Sequence, residues 1–297
     1  MKDEVPTLKD YLAERYRASA VRSYINRITR YVERIGETKA REASYQDVLG
    51  YVVELRRNGL HAKTLRHELA AVKMYYEWLL ESGQRIDHPC RTLVLRDAVD
   101  RQIRLDELYT REQLEDLISS YKAADPLNQR RGEVVIGLLI NQALTAGEVT
   151  RLRIGDVDLE AGTVYVGAGG KTAERTLALK ASQVLALWRY IEEDRSRYVS
   201  MATARGERTD WLLFDTRGGQ LDGGQLNRLI NRGRSKADRL RPQKIRQTVI
   251  AELVAAGHDV RIVQAFAGHR RSSATEQYKR TGLEELAEAV MKLHPRG

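Results

Sequence analysis

Apolar residues recur at helical spacing along almost all of this chain, and at one place the period shortens to two. There Thr163-Val164-Tyr165-Val166 and Thr176-Leu177-Ala178-Leu179 read as short β-type runs, joined by Gly167-Ala168-Gly169-Gly170-Lys171. That pattern predicts a hairpin. A chain with one small sheet and otherwise only helices folds as mainly α with a small β-sheet, an α+β arrangement. Its 297 residues are enough for two separate cores.

The N-terminal part reads as four helices. The first is Leu8 to Tyr16. The second carries Val21, Tyr24, Ile25, Ile28, Tyr31, Val32 and Ile35 and stops at Gly36. A third starts at the N-cap Ser44 and runs through Val48, Tyr51, Val52 and Leu55 to Gly59. The fourth runs from near Thr64 through Leu65, Leu69, Val72, Tyr76, Leu79 and Leu80 to Gly83. Tyr24, Tyr31, Tyr51, Tyr75, Tyr76 and Trp78 are expected to line the core and its grooves. Arg22, Arg27, Arg30 and Arg34 on the second helix, and Lys63, Arg66 and Lys73 on the fourth, alternate with few acids on their own faces. A DNA backbone is the partner such faces suit. Residues 87–108 contain Pro89 and little periodicity and read as a linker between a domain at 1–86 and one at 109–297. In the second domain Thr110 and Gln113 form a capping box, and Val134, Val135, Leu138, Leu139 and Ile140 mark a buried helix. A further helix is expected from Ser182 to about Tyr198, then a short apolar segment Trp211-Leu212-Leu213-Phe214, then helix to the end.

The net charge is +9, from 50 Lys and Arg against 41 acids, which favours a polyanionic partner. Cys90 is the single cysteine, so no intramolecular disulfide forms, in keeping with a reducing cytosol and a cytoplasmic location. No run approaches the ~18 apolar residues of a membrane span, and the acid-bearing start does not read as a signal peptide. No Cys/His cluster has zinc-ligand spacing, and no metal is expected.

The most specific chemistry lies near the C-terminus. Arg241-Pro242-Gln243-Lys244-Ile245-Arg246-Gln247-Thr248 is followed by a helical stretch, then Ala267-Gly268-His269, then Tyr278. A phenol titrates near pH 10, so one that attacks phosphate needs proton removal and a cationic surround. This order resembles the active site of tyrosine site-specific recombinases, the phage integrase family, including its Xer-like members. The resemblance implies that Tyr278 is the nucleophile, that His269 assists proton handling and that Arg246 clamps the phosphate. Gln243 falls where the family's His-x-x-Arg box has histidine; it can donate a hydrogen bond but cannot shuttle a proton. Lys171, in the hairpin turn, falls near the lysine that protonates the leaving 5′ oxygen. Upstream, the run from Leu144 to Asp158 resembles the first box, Thr-Gly-Leu-Arg-x-x-Glu, with Glu148, Leu152 and Asp156 in register. The first-arginine position is occupied by Thr145. Arg151 lies six residues later, where helical geometry would turn it away.

The resemblance also implies an N-terminal four-helix, SAM-like core-binding domain before an integrase-type catalytic domain. The chemistry would pass through a 3′-phosphotyrosine, with no cofactor, ATP or metal. The partner would be double-stranded DNA, bound by a homo-tetramer on paired sites, alone or with another recombinase, in DNA recombination or the integration of a mobile element. Leu283, Leu286, Val290 and Leu293 would form a tail helix that docks on a neighbouring protomer. Two other readings stay open at this point. One is a recombinase-derived DNA-binding accessory protein that no longer cuts, for which Thr145 and Gln243 argue. The other is a DNA-relaxing activity of the type IB topoisomerase kind.

Overall fold

The computed structural model describes residues 6–97, 103–123 and 125–279. The chain divides into two compact units, Met1–Arg101 and Gln102–Gly297.

The first unit holds α1 (Leu8–Arg15), α2 (Ala18–Ile35), α3 (Glu37–Glu42), α4 (Tyr45–Arg57) and α5 (Ala62–Glu81). Four of these match the expected helices, and α3 is additional. Gly36, at φ 92°, ends α2 and starts α3 directly. With Ala40 its one buried residue, six polar-rich positions give no readable period. Ser44 and Asp47 close a capping box on α4. The core is built on tyrosines: the Tyr31 and Tyr76 hydroxyls lie 2.5 Å apart, and Tyr76 donates to the Ala40 carbonyl at 2.8 Å. Cys90 and Leu93 complete this core, while Ile103 is buried in the second unit with Leu105 and Leu108 packed beside it. The described parts of 87–108 thus carry apolar residues that pack on each unit's core, and they are too few to show a period.

The basic faces differ from the expectation in one respect. Arg27 and Arg30 converge on the buried Glu68 at 3.3 and 2.9 Å, and Arg34 pairs with Glu54. Arg66 and Lys73 donate to the carbonyls of Asp97 and Arg91. The counter-charges come from neighbouring helices, which a scan along one helix face does not find.

In the second unit α6 (Arg111–Ser119) carries the expected Thr110–Gln113 capping box. α7 (Pro126–Asn141) begins with Asp125 as cap and Pro126 in its first turn, which suits a position lacking an N–H partner. After α8 (Ala146–Val149) and a 3₁₀ turn at Ile154–Asp156 come β1 (Val157–Asp158), β2 (Thr163–Val166) and β3 (Arg175–Ala178), antiparallel in that order. Val166 faces Arg175 and Thr163 faces Ala178. The single helix expected from Ser182 divides into α9 (Ala181–Arg189), a π-helical turn at Tyr190–Asp194 and α10 (Arg195–Ala204). Then follow α11 (Gly223–Ile230), α12 (Pro242–Ala255), α13 (Val260–Ala267) and a helical stretch over 273–279. Trp211 and Phe214 form isolated bridges with Arg153 and Gln220. The core gathers Val135, Leu139, Val164, Phe214, Leu226 and Ile245 around α7. The expected tail helix at 283–293 lies outside the described residues. Among the described residues no helix is long and apolar enough to cross a membrane.

Candidate active site

Pro242 opens α12 and places Gln243 and Arg246 one turn apart. Gln243 is exposed, whereas Arg246 is only 2 % exposed and reaches into the unit. Its guanidinium donates to the Ala143 carbonyl at 2.6 Å and the Ala267 carbonyl at 2.5 Å, so one side chain ties α12 to the chain before α8 and to the end of α13. Burial opposes its charge, and Glu148, 3.9 Å away, supports it.

Glu148 is the hub. It sits in one-turn α8, where Thr145 is the N-cap: the Thr145 amide and hydroxyl donate to Glu148 Oε2 at 2.8 and 3.0 Å, and the Glu148 amide returns a bond to Thr145 Oγ1. Arg175 of β3 meets the same carboxylate at 2.8 and 3.4 Å. Burial pushes the Glu148 carboxyl up, but the bonds from Arg175, Thr145 and Thr172 outweigh it and hold the group at about 2. The family's first-box acid is thus occupied by a capping threonine and two arginines.

Arg175 also donates to the Phe266 carbonyl at 2.7 Å. Next to it, Thr172 forms an isolated bridge with His269, and the Ala173 amide donates to the Gly268 carbonyl at 2.9 Å. The return strand of the hairpin is therefore paired to the turn that carries His269. Gly268 makes this possible. It lies at φ 65°, and a Cβ there would stand 2.6 Å from Arg175 Nη1 and 2.9 Å from the Ala173 oxygen. His269 Nδ1 lies 2.8 Å from Thr275 Oγ1. Burial, reinforced by the Arg246 and Arg175 charges, lowers its pKa to about 4, so the imidazole is neutral at pH 7.

Tyr278 is 5 % exposed and packs with Ile103, Ile250, Val263 and Ala267. Burial raises its phenol to about 12, and Arg246 pulls in the opposite direction. Arg246, His269 and Tyr278 thus share one electrostatic neighbourhood. Lys171 is exposed in the turn, one residue before the Thr172 bridge to His269.

Two further observations bear on Thr145. Ala143 stands where the first box has glycine, and its backbone adopts φ 50°. Arg151 is not turned away by a continuing helix, because α8 ends at Val149. Its guanidinium lies against Gly147 and the hairpin glycine Gly169, where added Cβ atoms would come within 3.5 and 3.2 Å of it. Sequence reasoning missed Arg175, Thr172 and Thr275. For Arg175, the signal was an arginine on a strand that is otherwise apolar on its buried side.

Residues 107–284 match the Phage integrase family, and residues 8–83 match its N-terminal SAM-like domain. The chain is 25% identical to tyrosine recombinase XerC of Oceanobacillus iheyensis, over 98% of this chain and 96% of that one. It is 27% identical to tyrosine recombinase XerA of Thermococcus kodakarensis, over 92% and 88%. Among solved structures it resembles the XerH site-specific recombinase bound to palindromic difH substrate in a post-cleavage complex, with TM-score 0.63, 18% identity, and 92% and 79% covered. It also resembles a lambda integrase dimer bound to a COC' core site, with TM-score 0.62, 14% identity, and 91% and 74% covered.

Proposed function

The chain belongs to the phage integrase family, and from that membership and the clustered residues we infer that it is a site-specific DNA recombinase, a tyrosine recombinase that breaks and rejoins strands. The reading rests chiefly on one observation: Arg246, His269 and Tyr278 converge beside the Glu148–Arg175 pair. Tyr278 Oη attacks the scissile phosphorus, the P–O5′ bond breaks, and a 3′-phosphotyrosine and a free 5′ hydroxyl result. The phenol proton passes to neutral His269 as the bond to phosphorus forms, and the charge of the bound phosphate counters the Arg246 and Arg175 charges that hold this imidazole low in the free protein. Arg246 and Gln243 hold the non-bridging oxygens as charge builds on them. Lys171, exposed on the hairpin turn, gives a proton to the leaving 5′ oxygen. Bond energy stays in the ester, so religation needs no nucleotide or metal.

The partner is duplex DNA. The solved relatives bound to a difH substrate and to a core site support this, as does the net charge of +9. Paired sites held by four protomers, alone or with a second recombinase, complete the exchange. The test is incubation with a suicide half-site followed by denaturing electrophoresis. Wild type is expected to give a covalent protein–DNA band. Tyr278→Phe is expected to bind the DNA and give none. A wild type that binds without forming the band would leave a DNA-binding protein only.

A further inference from the structure

A cavity of about 410 Å³ opens between α7, the 215–217 turn and α11, and none of its lining residues belongs to the cluster around Tyr278. Arg131, Arg217, Arg228 and Arg232 line it, with Asp215 the one carboxylate. Arg131 is 5 % exposed. Its Nη1 donates to the Phe214 carbonyl at 3.0 Å and its guanidinium lies over the Tyr198 ring, yet its Nε has no hydrogen-bond partner among the described residues. No carboxylate lies within ion-pair distance of Arg131, Arg217, Arg228 or Arg232 among the described residues. Asp215 does not neutralise them. Its Oδ1 accepts the amides of Arg217 and Gly219 at 2.7 and 2.8 Å, and its Oδ2 accepts Gln225 Nε2 at 3.0 Å. One wall is shaped by Gly132, whose missing Cβ leaves the place that the Tyr121 ring fills.

Arg217, Arg228 and Arg232 are exposed, so the cost falls on Arg131: an unsatisfied donor on a buried guanidinium is expensive, and proteins keep such a group where a ligand completes it. Arginine forks match the oxygens of phosphate in pairs. We propose that this cavity is a second phosphate site, in which Arg131, Arg217, Arg228 and Arg232 hold a phosphoryl group. The volume exceeds a bare ion and falls within the range of small-molecule sites. Two sources carry this chemistry: a backbone phosphate of bound DNA, or a free phosphorylated small molecule. The inference goes beyond strand cleavage, because phosphate binding here is read without any cutting.

The test uses the full chain, inorganic pyrophosphate as probe, and a duplex binding assay over a salt series. Pyrophosphate is expected to bind wild type in calorimetry, and Arg228→Gln/Arg232→Gln is expected to weaken it at least about tenfold. If DNA supplies the phosphate, pyrophosphate competes with duplex, and the slope of log K against log salt falls by about one to two in that variant and by about one in Arg131→Met. If a free molecule supplies it, pyrophosphate binds wild type while the salt slopes stay unchanged. The proposal is overturned if wild type binds no pyrophosphate and Arg131→Met keeps the wild-type slope, even where the double variant lowers it, since that is ordinary surface contact. Should Arg131→Met fail to fold, unweakened pyrophosphate binding in the double variant overturns the proposal by itself. Loss of the covalent band with pyrophosphate binding intact would count against the recombinase reading and not against this site.

Discussion

Glu148 carries the charge balance of two buried arginines, Arg175 at 2.8 Å and Arg246 at 3.9 Å. Glu148→Gln keeps the shape and removes the charge. It is expected to cost about 3 kcal/mol of unfolding free energy, the lower part of the range for breaking a buried pair, read from urea denaturation. Acid acts on the same cluster. Glu148 is depressed from 4.5 to about 2, so its stabilisation is full above 4.5 and is lost as pH falls from there towards 2. His269 is depressed from 6.5 to about 4, so the unfolded chain takes up its proton first, and stability falls with pH across that window. The thermal midpoint is therefore expected to drop between about pH 6.5 and 4.5, where Glu148 still contributes fully, and His269→Gln is expected to flatten that drop. Thr145→Arg puts a guanidinium where the family pattern has one. It is expected to raise the rate of covalent complex formation by about tenfold or more, and to cost about 1 kcal/mol through the lost helix cap. An unchanged or slower rate would show that another cation already serves the phosphate, and Arg151, whose guanidinium lies against Gly147 and Gly169, is the first to test. That Arg246, His269 and Tyr278 share one neighbourhood was legible because their order along the chain is short and patterned. Arg175 and Thr172 were not, because each matters through a partner many residues away in the chain.

At the level of elements, the hairpin and the end of α13 work as one piece, joined by Thr172–His269, Ala173–Gly268 and Arg175–Phe266. Gly268→Ala tests this directly. Its Cβ would force Arg175 off its place, and its backbone would be held at a positive φ. The expected loss is about 1–3 kcal/mol, with covalent complex formation reduced and DNA binding kept. Equal loss of binding and cleavage would mean that the piece is not local to the site. β2 was legible to the residue because Thr163–Val166 alternates cleanly in burial. β1, two residues long, and α3, six residues long, fall below any window in which a period shows. The π-helical turn at Tyr190–Asp194 was hidden for another reason: Leu187 before it, Tyr190 within it and Tyr198 after it are all buried, so the apolar pattern runs on while the hydrogen-bond ladder slips.

At the scale of the whole molecule, the division into two units was legible from the length of the chain and the aperiodic Pro89 segment, while the packing of Cys90, Leu93 and Ile103 was not. Cys90 has a consequence of its own. It is the chain's one thiol, fully covered in the first unit, and burial pushes it up to about 11. A thiol-reactive dye therefore meets nothing until that unit opens, and the labelling rate becomes a stopwatch for the opening of one half of the protein. Native protein is expected to label at least about a hundredfold more slowly than the denatured chain. Substitutions around Glu148 are expected to leave that rate unchanged while they lower the melting of the other half. Prompt labelling of the native protein would show that the 88–95 segment does not close over the thiol. With Cys90 silent, a cysteine placed by design on any exposed helix would be the sole point of attachment for a fluorophore, and the motions of this protein on DNA could be followed one molecule at a time.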